Sequence, residues 1–194
     1  MRLITREQAQ ELDHLAMTKH DISGESLMRN AGQKIAEFVQ SQLISIHNPN
    51  IGIVSGKGNN GGDGFAAGEF LNNLGFKITV YSLEDKNNIT GDAKIFHDHC
   101  SRDKVSIIYD HNPPVTKPDF DLMIDALFGT GFTGTMRDNL FPWVEWINDC
   151  KWIVAADIPS GVNANSGYAD EYAVNAHHTV TMGYSKLGMM IEPG

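Results

Sequence analysis

The sequence predicts an α/β fold, a mostly parallel β-sheet covered on both faces by helices, and three observations lead there. Short apolar runs of strand length recur from Ile51 to Met182, most of them separated by stretches long enough for a helical crossover. Three of these runs end in loops rich in glycine and turn-forming residues, and such sheets bind ligands beyond the carboxyl ends of their strands. The 194 residues suit a single domain. A domain of that size buries about 70% of its unfolded surface without disulfide or metal staples.

The first elements are helical. Thr5 with Gln8 three residues later is a capping-box pattern, and Ala9, Leu12 and Ala16 continue it at helical spacing. After the break at Ile22, Ser23 and Gly24, the stripe Leu27, Ala31, Ile35, Phe38 and Val39 predicts a second amphipathic helix ending near Leu43. Strands are predicted at Ile51 to Ser55, Lys77 to Ser82, Val105 to Tyr109, Leu122 to Leu127, Trp152 to Ala156 and Thr179 to Met182. The intervening helices are predicted at Phe65 to Leu74, Asp92 to Cys100 and Leu140 to Asn148. The stretch from Asp110 to Asp119, with three prolines, reads as a surface connection. No repeat or internal boundary interrupts residues 1–194, which are read as one domain.

Composition narrows the function. No apolar run has the length of a signal peptide or a membrane span, so the expectation is a soluble protein of the cytoplasm. Cys100 and Cys150 lack both the density of a disulfide framework and the spacing of a zinc site, which predicts free thiols in a reducing compartment. The net charge of −9 argues against general binding to a phosphate backbone.

The chemistry gathers in three loops. Gly56, Gly58 and Gly61 match GxGxxG directly after a strand, with Glu84 at the end of the next strand as a candidate ribose-binding acid. Five glycines, two asparagines and an aspartate make up eight of the nine residues from Gly56 to Gly64, with Lys57 the ninth. A tight turn needing positive φ is the bland reading, and a backbone that approaches a phosphate at a helix N-terminus is the functional one. In the second loop, Asp125 stands at a strand's carboxyl end, where a buried carboxylate calls for a cation or a hydrogen-bond network. Gly129, Thr130 and Gly131 after it offer backbone amides for an anion. In the third, Asp157 is a candidate general acid or base, since partial shielding raises a carboxyl toward neutrality; alternatively it caps the turn around Pro159 and Gly161. His177 and His178 would face opposite sides of a strand, and His97 and His99 different sides of a helix, so none is read as a metal site. Lys186 can meet an anionic ligand, although a lone lysine is usually solvated.

Taken together, Leu27 to Gly32, the three loops and the closing Thr179 to Gly188 segment resemble the NAD(P)HX epimerase family, the YjeF-type N-terminal domain. The resemblance implies a three-layer αβα sandwich with a Rossmann-like sheet, usually dimeric, that interconverts the R and S epimers of hydrated NADH or NADPH. It implies a potassium ion held by Asn60, Asp125 and Ser160. It also implies dinucleotide contacts from Asn59, Asn60, Gly61, Gly62, Asp63, Gly129, Thr130, Gly131, Phe132, Thr133, Gly134, Thr135 and Asp157, with Asp157 as the acid/base and Lys186 second to it. Functional coupling to an ATP- or ADP-dependent NAD(P)HX dehydratase is expected, and nucleic acid and membrane partners are not. Arg29 departs from the glutamate many members carry, and the resemblance implies a final strand beyond Gly194, so a C-terminal truncation is expected. Two competitors remain. One is a non-catalytic dimerising module that binds nucleotide or RNA, similar to the domain of eukaryotic mRNA-decapping scaffolds; Asn60, Asp125, Asp157 and Ser160 speak against it. The other is an NAD-dependent dehydrogenase, for which no second domain is left to hold a substrate.

Overall fold

The computed structural model describes residues 2–116 and 119–191. Eight strands and five α-helices alternate along them: β1 Leu3–Ile4, α1 Arg6–Lys19, α2 Gly24–Gln42, β2 Asn50–Ser55, α3 Asn59–Asn73, β3 Lys77–Ser82, α4 Gly91–Arg102, β4 Ser106–Tyr109, β5 Leu122–Ala126, α5 Phe141–Asn148, β6 Ile153–Ala156, β7 His178–Val180 and β8 Ser185–Lys186. Strands β2 to β7 form one parallel sheet in the order β4-β3-β2-β5-β6-β7. The order reverses between β2 and β5, which puts a topological switch point at the carboxyl ends of those two strands.

Period-2 alternation decides what each face buries. Ile51, Ile53, Ile78, Val80, Leu122, Ile124 and Ala126 turn to one side, where α2, α3 and α4 cover them through Ile35, Val39, Phe65, Leu71 and Phe96. Val54, Tyr81, Met123 and Ile153 turn to the other, against Trp143, Val144, Trp146 and Ile147 of α5. That second layer holds one α-helix, and irregular chain completes it. The connection after β4 is pinned by the two indoles, since Trp143 Nε1 donates to His111 O and Trp146 Nε1 to Thr116 O. Its Pro118 lies outside the described residues.

The helix starts show the expected capping chemistry. Thr5 and Gln8 close a reciprocal capping box on α1, and the Ser23 hydroxyl accepts from Ser26 N–H at the start of α2. Arg29 is ion-paired to Glu25 one turn back and lies over the Phe96 ring, so it holds α2 to α4. Three features differ from the sequence expectation. Helix α3 begins at Asn59, so Asn59 to Asp63 form its first turn and no extended glycine loop exists. Strand β7 spans His178–Val180 and stops short of Met182. A small parallel pair joins β1 to β8, with Ile4 opposite Lys186, and two residues per strand are too few to carry a periodicity.

Candidate active site

The site is built from the segments that leave β2, β5 and β6 at their carboxyl ends. Gly58 turns the chain into α3 at φ 92, a conformation that favours glycine, and the helix has no side-chain cap. Its first amides are therefore open to a ligand. Asn60 in that first turn is buried, and neither its Oδ1 nor its Nδ2 has a partner among the described residues. A buried amide with both ends open is rare enough to need an explanation.

Asp157, the residue after β6, sits at φ 68, where a non-glycine residue is strained. Its carboxylate bonds across to other segments instead of capping its own turn. Lys186 Nζ and Met182 N–H donate to Oδ1, and Thr130 N–H donates to Oδ2. Lys186 is almost fully buried, and its remaining hydrogens go to Thr181 Oγ1 and Met182 O, both at 2.9 Å. The expectation for a lone solvated lysine is thus overturned: the carboxylate supplies the charge that makes burial tolerable. A Cβ at Gly129 would stand 3.1 Å from Asp157 Oδ2 and 3.2 Å from Asn60 Oδ1, so glycine there lets the amide and the carboxylate meet around one point. Asp63 is close to Asn60 in the same turn of α3. Burial, then the nearby Asp157 and Asp13, push its carboxyl well above the ordinary range.

Asp125 and Ser160 form a second, buried unit beside the first. The Ser160 hydroxyl donates to Asp125 Oδ1 at 2.6 Å and accepts from Phe128 N–H at 2.9 Å, while Ser160 N–H and Leu127 N–H also donate to the carboxylate. Burial pushes Asp125 up to about 6 in spite of these bonds. Asn60, Asp125 and Ser160 present amide, carboxylate and hydroxyl oxygens, the donor set of a hard cation, and the open Asn60 oxygen is what such an ion would satisfy.

A cleft of about 490 Å³ opens at the switch point, a usual size for a ligand site. Gly131, Phe132, Thr133 and Thr135 line it, as do Lys57, Glu84, His111 and Arg137. A smaller cavity of about 90 Å³ adjoins it past Gly56, Lys57 and Glu84 and reaches Gly62. Asn59, Asn60, Gly61, Asp63, Gly129, Thr130, Gly134 and Asp157 border neither. The expected amide nest is partly spent, because Thr130 N–H is taken by Asp157. Sequence patterns do not single out Lys57, His111 and Arg137, which are isolated polar side chains in irregular segments. Only their convergence on one cleft marks them. The four histidines weighed in the sequence make these contacts: His177 Nδ1 accepts from Ile153 N–H, His178 packs on Trp152 and Phe38, His97 bonds Tyr109 Oη and His99 bonds Glu69.

A Rossmann-like parallel sheet with an acid–lysine pair, an open amide and a ligand-sized cleft at the carboxyl ends of its strands defines a small-molecule enzyme or binding domain of the nucleotide type. The chain belongs to the family described as YjeF-related protein N-terminus, whose model matches residues 24–188. It is 32% identical to the NAD(P)H-hydrate epimerase of Rhodopirellula baltica over 95% of this chain and 76% of that one. It is equally 32% identical to the enzyme of that name from Elusimicrobium minutum, over 98% and 89%. The bifunctional NAD(P)H-hydrate repair enzyme Nnr of Moorella thermoacetica matches the whole chain at 32% identity, but the chain spans only 38% of its length. The crystal structure of yeast ynu0 has the same fold, with a TM-score of 0.87 at 22% identity over 97% of this chain and 83% of that one.

Proposed function

We propose that this protein is an NAD(P)H-hydrate epimerase, which interconverts the R and S forms of NADH or NADPH hydrated at C6 of the nicotinamide ring. The observation that carries the proposal is Asp157, held by buried Lys186 and meeting the unpartnered Asn60 amide around Gly129, at the same end of the sheet as a nucleotide-sized cleft. The names of the similar epimerases support it.

C6 of the hydrate carries both a hydroxyl and the ring nitrogen, so it is a hemiaminal. Removal of the hydroxyl proton forms the C=O bond and breaks the bond from C6 to nitrogen, which takes the electron pair and a proton; the open form is an aldehyde, and reclosure on its other face, with both proton transfers reversed, inverts the carbon. In a second route the hydroxyl leaves as water and returns from the opposite side. Each route needs one positioned acid/base, and Asp157 takes that role. Lys186 has all its hydrogens committed, so it positions Asp157 instead of exchanging protons itself. Asn60 offers its amide oxygen to the substrate or an ion and its NH2 group to the substrate. The open amides of α3 and the cations Lys57 and Arg137 suit the pyrophosphate.

Asn60, Asp125 and Ser160 would hold potassium. Bound there, the ion supplies the positive charge that a carboxylate as buried as Asp125 lacks. We further infer a homodimer, supported by Leu12, Met17 and Ile22, which stand exposed on or just after α1, and sedimentation velocity tests it directly. Two buried free thiols support a reducing cytoplasm, and no described helix is long and apolar enough to cross a membrane. The name of the bifunctional relatives supports work alongside an ATP- or ADP-dependent dehydratase. Supplying the R epimer of NADHX with an S-specific, ATP-dependent dehydratase tests the reading: this protein is expected to speed the return of NADH absorbance above the spontaneous rate. Absence of dinucleotide binding together with salt-dependent RNA affinity would favour the binding-module alternative instead.

A further inference from the structure

Glu84 lies two residues past the carboxyl end of β3, half-buried, on the boundary shared by the 490 Å³ cleft and the 90 Å³ cavity. Its turn is fixed to the core of the site. Leu83 N–H donates to Ser55 O at the end of β2, and the Ser82 hydroxyl donates to Glu84 O. Lys57 and Arg137 border the same cleft, and among the described residues none of these three charged side chains is in an ion pair. Uncompensated charges of both signs around one cleft fit a ligand that presents both anionic groups and hydroxyl donors. The cations take the former. An ionised carboxylate only accepts hydrogen bonds, so Glu84 suits a pair of hydroxyls and repels a phosphate.

Strand order says which hydroxyls. Asp157 comes after β6 and Glu84 after β3, with β2 and β5 between them. Three strand spacings put the two acids about 14 Å apart across the switch point. If the nicotinamide ring is at Asp157, Glu84 meets the far end of the same dinucleotide.

We propose that Glu84 hydrogen-bonds the 2′- and 3′-hydroxyls of the adenosine ribose and makes this protein prefer NADHX over NADPHX, which carries a phosphate on that 2′-oxygen. The inference rests on the dinucleotide reading above, and its test is chosen to separate the two. The probes are ADP-ribose and 2′-phospho-ADP-ribose, titrated calorimetrically into the wild-type protein, Glu84→Gln and Glu84→Arg, each first checked for an unchanged circular dichroism spectrum. The wild type is expected to bind ADP-ribose about tenfold or more tightly than its 2′-phosphate, the scale of a hydrogen bond to a charged group. Glu84→Gln closes most of that gap, and Glu84→Arg reverses the preference. Equal wild-type binding of the two probes, or a gap that both variants leave unchanged, overturns the role of Glu84 and leaves the dinucleotide site standing. Failure of both probes to bind the wild type overturns both.

Discussion

At the scale of single residues, the Asp157–Lys186 pair sets the chemistry and also a local stability risk. Lys186 is 1% exposed and Asp157 9%, so removing one partner strands the other as an uncompensated buried charge. Lys186→Met is expected to cost about 3–5 kcal/mol in urea unfolding, whereas a solvated lysine would give almost nothing. The sequence marks both residues but not their partnership. Twenty-nine positions separate them, and the pairing that brings them together is made by segments too short to announce themselves. The reverse holds for Asn60, whose value lies in lacking a partner, a property visible only once the surrounding chain is in place.

At the scale of elements, the strands are legible because short runs rich in apolar and β-branched residues stand out against polar connections. Lys77–Ser82 falls on its expected bounds, and the others shift by one or two residues. The start of α3 is not legible. Its glycines look like a phosphate-binding loop, yet several are required by packing inside a helix. A Cβ at Gly61 would lie 1.9 Å from Gly56 O, and one at Gly62 2.4 Å from the Met28 methyl. Glycine content thus reports close approach of α3 to its neighbours as well as access for a ligand. Gly61→Ala is expected to lose the ~1–3 kcal/mol typical of overpacking, or more, because backbone cannot yield like a side chain. Gly131 lines the cleft with open space at its Cβ. Gly131→Ala should stay within about 0.5 kcal/mol of the wild type in the same unfolding experiment.

At the scale of the whole molecule, a domain with a net charge of −9 keeps an extra carboxylate, Asp125, fully buried. Burial raises it from the ordinary 3.8 to about 6, so the folded state holds its proton more tightly than the unfolded chain. The penalty is therefore absent below the unfolded value, grows as pH rises toward about 6, and then levels off at about 3 kcal/mol. In potassium-free buffer the wild type should gain stability relative to Asp125→Asn as pH falls from 7.5 to 5. Potassium, binding the charged form, should raise the melting temperature more at pH 7.5 than at pH 5, and Asp125→Asn should abolish that increment. A wild-type melting temperature indifferent to potassium at both pH values contradicts the ion site.

Whether Asp157 carries the reaction is decided by an epimerase assay on Asp157→Asn. The wild-type protein, given the R epimer of NADHX and an S-specific dehydratase, should restore NADH absorbance well above the spontaneous rate. Asp157→Asn should still bind ADP-ribose but lose roughly 10²–10⁴-fold in rate, the range of a general acid/base. A variant that epimerises at the wild-type rate would remove the carboxylate at the centre of the site from any part in the reaction, and with it the mechanism proposed for this protein.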